Sequence, residues 1–599
     1  MGLPRAIKAH VDGNIDEAMK HYERAIEQKQ YKPELFQNYG SLLKDQGKVK
    51  KSEEVYCKGL SLFTDDPGIL TNYANLVRFE GRPTEALSLS MRALRRQRCL
   101  KAKGLDQAYF NCIDALINLS CLSWALELCR LALTEIGQSK EMLWMLFRLS
   151  NSNQSDLFTT QQRDDLMELI ENNLIKFTPL EQAEFLFVRS FFELKRGKSS
   201  LSLDLMGQAR RRLLLDSRKL RNKDREKAQK LIDVNAWNCS CLLLKLQAFE
   251  AGWRLFEHGL RTPAPGQQLW QRALFKPFSH RELPLWRGSQ LSGQRLLLLE
   301  EQAIGDTMMF ITLIPPLLAE AKHVGLVVGK RLLPIYQRVF GREIDDGIMS
   351  VWSHDAVRSG LLRHDEFDLQ CPLGSICQHR FLDIHAYAPR NPILKADVKN
   401  VQKLRGRYTQ TMQPSRVVGI SWRGGGVAAR IREKSVNPSQ FAALMREFED
   451  TQFVSLQYGD VSNVVRSWKE EGLSIVHDIN VNPLKDMNLW LDQVAACDAV
   501  ISVANTTIHG AGGLNIPTLC LLSVNSDWRW LDDPSVQRSY WYPSVGIARQ
   551  HENGSWQQAF VQAREWLASG CPFPKGAMHR AMASDLQLHA FLSMEDPTS

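Results

Sequence analysis

Residues 499–517 read AVISVANTTIHGAGGLNIP. A short apolar run, AVISV, breaks off at Asn505, Thr506 and Thr507, residue types that suit a helix start. His509, a set of glycines and Pro517 follow. A buried strand that feeds directly into a helix is the unit of a parallel sheet covered by helices. The first-turn amides of such a helix lack intrahelical partners and lie at the positive end of its dipole, so they can hold a phosphate. Asn505, Thr506 and Thr507 are therefore candidate anion-binding residues, and His509 can add a donor one turn in. The competing reading is packing, with Asn505 a plain cap and His509 a satisfied core side chain.

Outward from this stretch, short apolar runs alternate with amphipathic segments in two series. The first contains RLLLLEE (295–301), a helix from Asp306, HVGLVVG (323–329) and KRLLPIYQRVF (330–340). The second begins at SRVVGISWRGG (415–425) and runs through a helix at 439–449, TQFVSLQYG (451–459) and a helix at 461–471. LSIVHDI, a helix at 486–497, AVISV, a helix at 506–513 and PTLCLLS complete it. Two such series around a linker predict two Rossmann-like α/β lobes, at 295–400 and 411–575, with one cleft between their strand ends. A Pro- and Gly-rich linker at 261–294 precedes them, and 576–599 reads as a tail.

Ligands of doubly wound sheets collect at the carboxyl ends of the strands. The first strand ends in Glu300, Glu301 and Gln302, and Gly305 permits a tight turn before Asp306 at a helix start. An Asp there is a cap or a general base, since both uses need the same oxygens. Gln302, Gly305 and Thr307 flank it as a cleft loop. SWRGGGVAARIREKS (421–435) is glycine-rich and basic, which suits a mobile loop closing on an anion. It offers Arg423, Arg430, Arg432 and Lys434, without the Gly-Lys-Ser/Thr of a Walker loop. Gln457, expected to stand exposed at another strand end, can read a base or sugar edge.

The N-terminal end is periodic instead. Gly13, Gly47 and Gly81 recur at 34-residue steps, as do Ala6, Gly40 and Ala74; Ala18, Ser52 and Ala86; Ala25, Gly59 and Ala93; and Pro33 with Pro67. Small residues in fixed columns let paired helices approach closely. The pattern resembles the tetratricopeptide repeat, with Phe36 at the place of its consensus Trp. The resemblance covers 1–100 and implies an all-α solenoid. Residues 101–260 stay helical in pattern without clear period and read as a degenerate extension. The concave face of such a solenoid suits a protein or peptide partner.

Composition sets limits on this reading. At 599 residues the chain is too long for one core, and its 44% hydrophobic content is that of a globular protein. No run approaches the ~20 apolar residues of a membrane span. MGLPRAIKAH has no apolar stretch of signal-peptide length, so a cytoplasmic location is expected. The twelve cysteines are scattered and lack metal-knuckle spacing, which predicts reduced, buried thiols and no metal site. The net charge of +9 owes much to 210–230, where ten Lys or Arg face three acids. That run lacks interleaved aromatics, so no nucleic-acid partner is expected.

Residues 252–575 resemble the glycosyltransferase-like region of bacterial tetratricopeptide-repeat proteins, similar to the family 9 heptosyltransferases and remotely to O-linked N-acetylglucosamine transferases. The blocks that carry the resemblance are AGWRLFEHGLR, PLWRGSQLSGQRLLLLEEQAIGDTMMF, VGISWRGG, FVSLQYGD, VISVANTTIHGAGGLNIPTLCLLS and DWRWLDDPSVQRSYWYPSVGIARQ. The resemblance implies a GT-B fold with a nucleotide-sugar donor in the second lobe and no metal or other cofactor. By it, Asp306 is the general base on the acceptor hydroxyl and Lys434 a donor-phosphate ligand. The diphosphate turn maps onto Ala504–His509, with Ala504 at the place of the family's Asp, and Ala303 replaces the first Gly of EQGLGD. Transfer of a sugar to a protein or glycan acceptor recruited by the repeats is the function implied. A non-enzymatic adaptor with degenerate lobes is the alternative.

Overall fold

The computed structural model describes residues 2–100, 105–150, 157–217, 222–261, 272, 277–387, 392–410, 413–425, 428–524, 526–551 and 554–575, with backbone alone at 195, 216–217, 222–224 and 428–430. The expected tail at 576–599 and residues 262–271 and 273–276 of the linker expected at 261–294 lie outside the described residues. The chain divides into two compact units, Met1–Gln182 and Ala183–Ser599.

The first unit is all helix. Gly2–Val11 packs on Ile15–Glu27, Pro33–Asp45 on Val49–Leu62, and Pro67–Phe79 on Pro83–Leu100. The 34-residue columns have a direct physical cause. Gly13, Gly47 and Gly81 turn the chain between paired helices at φ of 79°, 71° and 75°, backbone that other residues adopt only at a cost. Gly40 and Gly59 lie where helices touch: a Cβ on Gly40 would fall 2.4 Å from Tyr56, and one on Gly59 2.7 Å from Phe36. Helices Leu105–Asn118, Leu122–Ile136, Lys140–Ser150 and Thr160–Asn172 continue the unit. Lys44, Asn75, Arg78, Phe79, Gln107, Phe110 and Asn111 line a cavity of about 570 Å³.

The second unit holds two parallel sheets. In the first, β1 (Arg295–Leu299), β2 (His323–Val328), β3 (Met349–Ser353) and β4 (Leu369–Pro372) run in the order β3-β2-β1-β4. In the second, β5 (Arg416–Ser421), β6 (Thr451–Ser455), β7 (Ile475–Val476), β8 (Ala499–Val503), β9 (Thr518–Leu522) and β10 (Val545–Arg549) run β10-β9-β8-β5-β6-β7. Every pairing between these strands is parallel. The chain is thus multidomain: a tetratricopeptide-type helical region followed by two Rossmann-like lobes of GT-B type. β3, β4 and β10 join the sheets without having been singled out in the sequence. β7 shrinks to two residues of LSIVHDI.

Helices Asn222–Lys245 and Phe249–Phe256 belong with the lobes. Trp237, Phe249, Trp253 and Phe256 share one continuous core with Leu296 and Leu298 of β1 and with Val500, Cys520 and Leu522 of β8 and β9. Trp253 donates through Nε1 to the Tyr387 hydroxyl at 2.9 Å. Among the described residues no helix is long and apolar enough to cross a membrane.

Candidate active site

Each sheet reverses its winding at one place, and the crevice of a doubly wound sheet opens there. In the first lobe that place is the end of β1 beside β4, and in the second the ends of β5 and β8. The sequence-predicted residues gather at these ends. Gln302 follows β1 with φ +60°. Gly305, Asp306 and Thr307 lie in helix Ile304–Phe310, and Asn505 caps helix Thr506–Gly513 after β8.

The end of β1 is fixed from below by a buried ion cluster. Arg272, wholly enclosed, donates to Glu301 at 2.7 Å, to Glu257 at 2.7 Å and to the Ser375 hydroxyl at 2.9 Å. The Gly374 amide donates to the other Glu301 oxygen at 2.5 Å. Burial pushes the Glu301 carboxyl up, against the pull of Arg272. Charges buried this deeply are tolerated only with partners, and here the partners hold rigid the loop that carries Gln302.

At the helix start at 506, two of the first-turn amides are spent internally. Asn505 Oδ1 accepts from the Thr507 amide at 2.9 Å, and the Asn505 carbonyl from Ile508 at 3.1 Å. Asn505 Nδ2 donates to Ser421 Oγ at 2.8 Å and to the Arg423 carbonyl at 3.2 Å, tying the ends of β5 and β8 together. Thr506 is partly exposed, Thr507 is buried, and Ala504 packs against the core. His509 is buried; its Nδ1 meets the Tyr542 hydroxyl at 3.1 Å. Burial holds the imidazole neutral, its pKa lowered to about 4 despite the opposing charge of Asp306. A Cβ on Gly305 would fall 2.8 Å from His509 Cδ2, so that glycine is what lets the two lobes touch.

Gln457 differs from the expectation of an exposed side chain. It is 4% exposed, and its Oε1 accepts from Ser421 Oγ, Trp422 N and Arg423 N at 3.0, 3.1 and 2.8 Å. Three unpaired donors at the end of β5 draw the amide inward. Arg423 itself is exposed. The glycine-rich segment is not all loop: Ala428–Lys434 is helical, in keeping with good helix formers in AARIREK. Arg430's side chain lies outside the described residues, and Arg432 is exposed.

What the structure adds is a chain of alternating charges across the cleft. Lys434 Nζ donates to Asp527 Oδ2 at 2.9 Å. Arg529 lies 3.3 Å from Asp527 Oδ1 and donates to Asp306 Oδ1 and, at 3.1 Å, to Gln302 Oε1. Asp306 Oδ2 accepts from the Ala303 amide at 3.1 Å. Burial alone would raise Asp527, but Lys434 and Arg529 hold its carboxyl far below the usual range. Burial likewise works against Arg529's charge, and Asp306 and Asp527 more than restore it. Asp527 and Arg529 escaped the sequence reading because DWRWLDD has neither periodicity nor a glycine. A charged pair set among tryptophans was the one signal available. Among the described residues no three His, Cys, Asp or Glu side chains cluster as a metal site.

No protein-family model matches the chain. It is similar to Protein FlbA of Caulobacter vibrioides, 27% identical over 279 residues, which make up 45% of this chain and 46% of that protein. The chain thus spans about half the length of the curated relative it matches. Similar solved structures include E. coli ADP-heptose LPS heptosyltransferase II, at 14% identity and TM-score 0.32 over 46% of this chain and 98% of that one. A glycosyl transferase of family 9 from Veillonella parvula gives 10% identity and TM-score 0.32 over 48% and 95%. YrrB, a tetratricopeptide-repeat protein with a peptide-binding site, gives 15% and 0.25 over 33% and 98%. Identities this low leave the chemistry to be read from the residues themselves.

Proposed function

We propose that the second unit transfers a sugar from a nucleotide-sugar to a hydroxyl acceptor, with Asp306 as general base. The observation that carries the reading is Asp306, beside the end of β1 where the first sheet reverses, paired with Arg529, which shares Asp527 with Lys434. In the reaction Asp306 takes the proton of the acceptor hydroxyl as its oxygen bonds to the anomeric carbon. The bond from that carbon to the diphosphate breaks, and the leaving diphosphate departs with the electron pair. Lys434 and Arg529 meet the charge that develops there, the contribution that is usually largest. The cavity on the helical unit, with Lys44 and Arg78 beside Phe79 and Phe110, is suited to a peptide acceptor or partner.

Thermal-shift screening against UDP-, GDP-, CMP- and ADP-sugars, followed by donor hydrolysis and transfer assays on the hit, tests this. Binding with turnover lost in Asp306→Asn supports it. Absence of binding to any nucleotide favours the adaptor reading, which Ala504 and the internally satisfied Thr507 amide support.

A further inference from the structure

The Lys434–Asp527–Arg529–Asp306 chain has a feature that transfer chemistry alone does not require: its cations are already neutralised. Asp527 bridges both, accepting from Lys434 at 2.9 Å through one oxygen and facing Arg529 at 3.3 Å through the other. A carboxylate bridging two cations does what a phosphate would do in that place, with less charge and fewer acceptor oxygens. Asp306 is occupied too. One oxygen accepts from Arg529 and the other from the Ala303 amide, so the carboxylate is already held by a cation and is a weaker base towards an acceptor hydroxyl than a free one.

We propose that Asp527 is a resident counter-anion on a diphosphate site, and that Arg529 exchanges Asp306 for the ligand's phosphate. The base is thereby released only once the anion is in place. This rests on the transferase reading for the role of Asp306, while the anion exchange stands on the side chains alone. Local structure permits the exchange. Asp527 and Arg529 lie outside helix and strand, in a turn where Asp527 Oδ1 accepts from the Arg529 amide at 3.2 Å. Both side chains can re-aim by rotation about their own bonds. The Arg529 guanidinium lies over the Trp528 ring at 4.4 Å, and Trp528 is fixed among Trp253, Phe256 and Phe310. That face anchors the cation while its edge changes partner. Gln302 offers its oxygen to Arg529, and its enclosed Nε2 has no hydrogen-bond partner among the described residues. A spare donor is thus held beside the same pair. Arg529 acts as a positioning residue for Asp306, and donor must bind before acceptor.

The test is calorimetric titration of the full chain with inorganic pyrophosphate. Asp527→Asn should bind roughly tenfold more tightly than wild type, and Arg529→Gln roughly tenfold more weakly, the scale of one charge-assisted hydrogen bond. Without anion Asp527→Asn should melt lower than wild type, and pyrophosphate should raise its melting temperature by more. A purely structural ion chain would weaken binding in both variants; that result, or no binding to any variant, overturns the proposal. Should Asp527→Asn fail to fold, Asp306→Asn also frees Arg529 and must tighten pyrophosphate binding; unchanged or weaker affinity there overturns it equally. Opposite shifts in affinity without any sugar turnover would sustain the exchange and sink the transferase reading alone. Turnover with affinities shifted the same way would do the reverse.

Discussion

Two turns at adjacent strand ends, one after β8 and one after β9, treat charge in opposite ways. The Asn505 turn is held by neutral groups: its side-chain oxygen accepts from the Thr507 amide, and its side-chain nitrogen donates to Ser421 and Arg423, stitching β8 to β5. The Asp527 turn is unsettled. It brings a carboxylate and a guanidinium into one neighbourhood and completes them only by reaching Lys434 and, across the cleft, Asp306. Neutral donors paired with neutral acceptors give rigidity, while charges satisfied by other charges can change partner when a stronger anion arrives. The first turn is architecture; the second is where chemistry can be switched.

The largest effect that would break this contrast concerns Asp306. Asp306→Asn should lower transfer by ~10²–10⁴-fold, as loss of a general base does, without weakening donor binding. Single-turnover rates and donor titration check both halves. If turnover persists, Asp306 only caps its helix and anchors Arg529.

The Asn505 turn should instead respond in stability. His509→Ala removes a buried ring and should cost roughly 2–4 kcal/mol near neutral pH, in line with large-to-small core changes. The penalty carries a pH signature. The folded imidazole titrates at about 4 against 6.5 ordinarily, so between these values the unfolded chain binds a proton that the folded chain refuses. The stability due to neutral His509 is full above pH 6.5 and is lost as pH falls towards 4, by up to about 3 kcal/mol. Denaturant unfolding at several pH values should show the gap between wild type and His509→Ala closing on acidification. A nucleoside and its diphosphate should be affected alike; selective loss of the diphosphate would move His509 from packing to phosphate contact.

Gly305→Ala places a methyl 2.8 Å from His509 Cδ2. Overpacking of this kind costs about 1–3 kcal/mol, read as a lower denaturation midpoint. Smallest, Asn505→Ala should cost about 1 kcal/mol as a lost cap while leaving pyrophosphate affinity within twofold. A large drop in that affinity would make the first turn a ligand site after all.

How far the sequence revealed this depends on distance along the chain. AVISV, RVVGIS and RLLLL are legible because strands buried on both faces read as unbroken apolar runs. MSVWS and LQCP mix polar residues into short strands and are hidden. The 34-residue columns show plainly because Gly13, Gly47 and Gly81 turn the chain at positive φ, and Gly40 and Gly59 each face a bulky ring in a neighbouring helix. Asp306 and Lys434 could be singled out by position, but Arg529 meets Asp306 across 223 residues, and no local pattern encodes such a pairing. Gln457 misled for a related reason: an amide at a strand end turns inward when the backbone beside it has donors to fill.

Helix Phe249–Phe256 has a mechanical consequence. Its Trp253 is hydrogen-bonded to Tyr387 on the first lobe and stacked edge-on against Trp528 on the second, 5.6 Å between ring centres. Phe249 likewise touches both Tyr387 and Tyr540. One helix therefore clamps both halves of the cleft, and any hinge motion of one half against the other has to shear this aromatic knot. Wide opening and closing is costly in such a frame. The motions left open are side-chain swings of Arg529 and its neighbours, which need no travel of whole lobes.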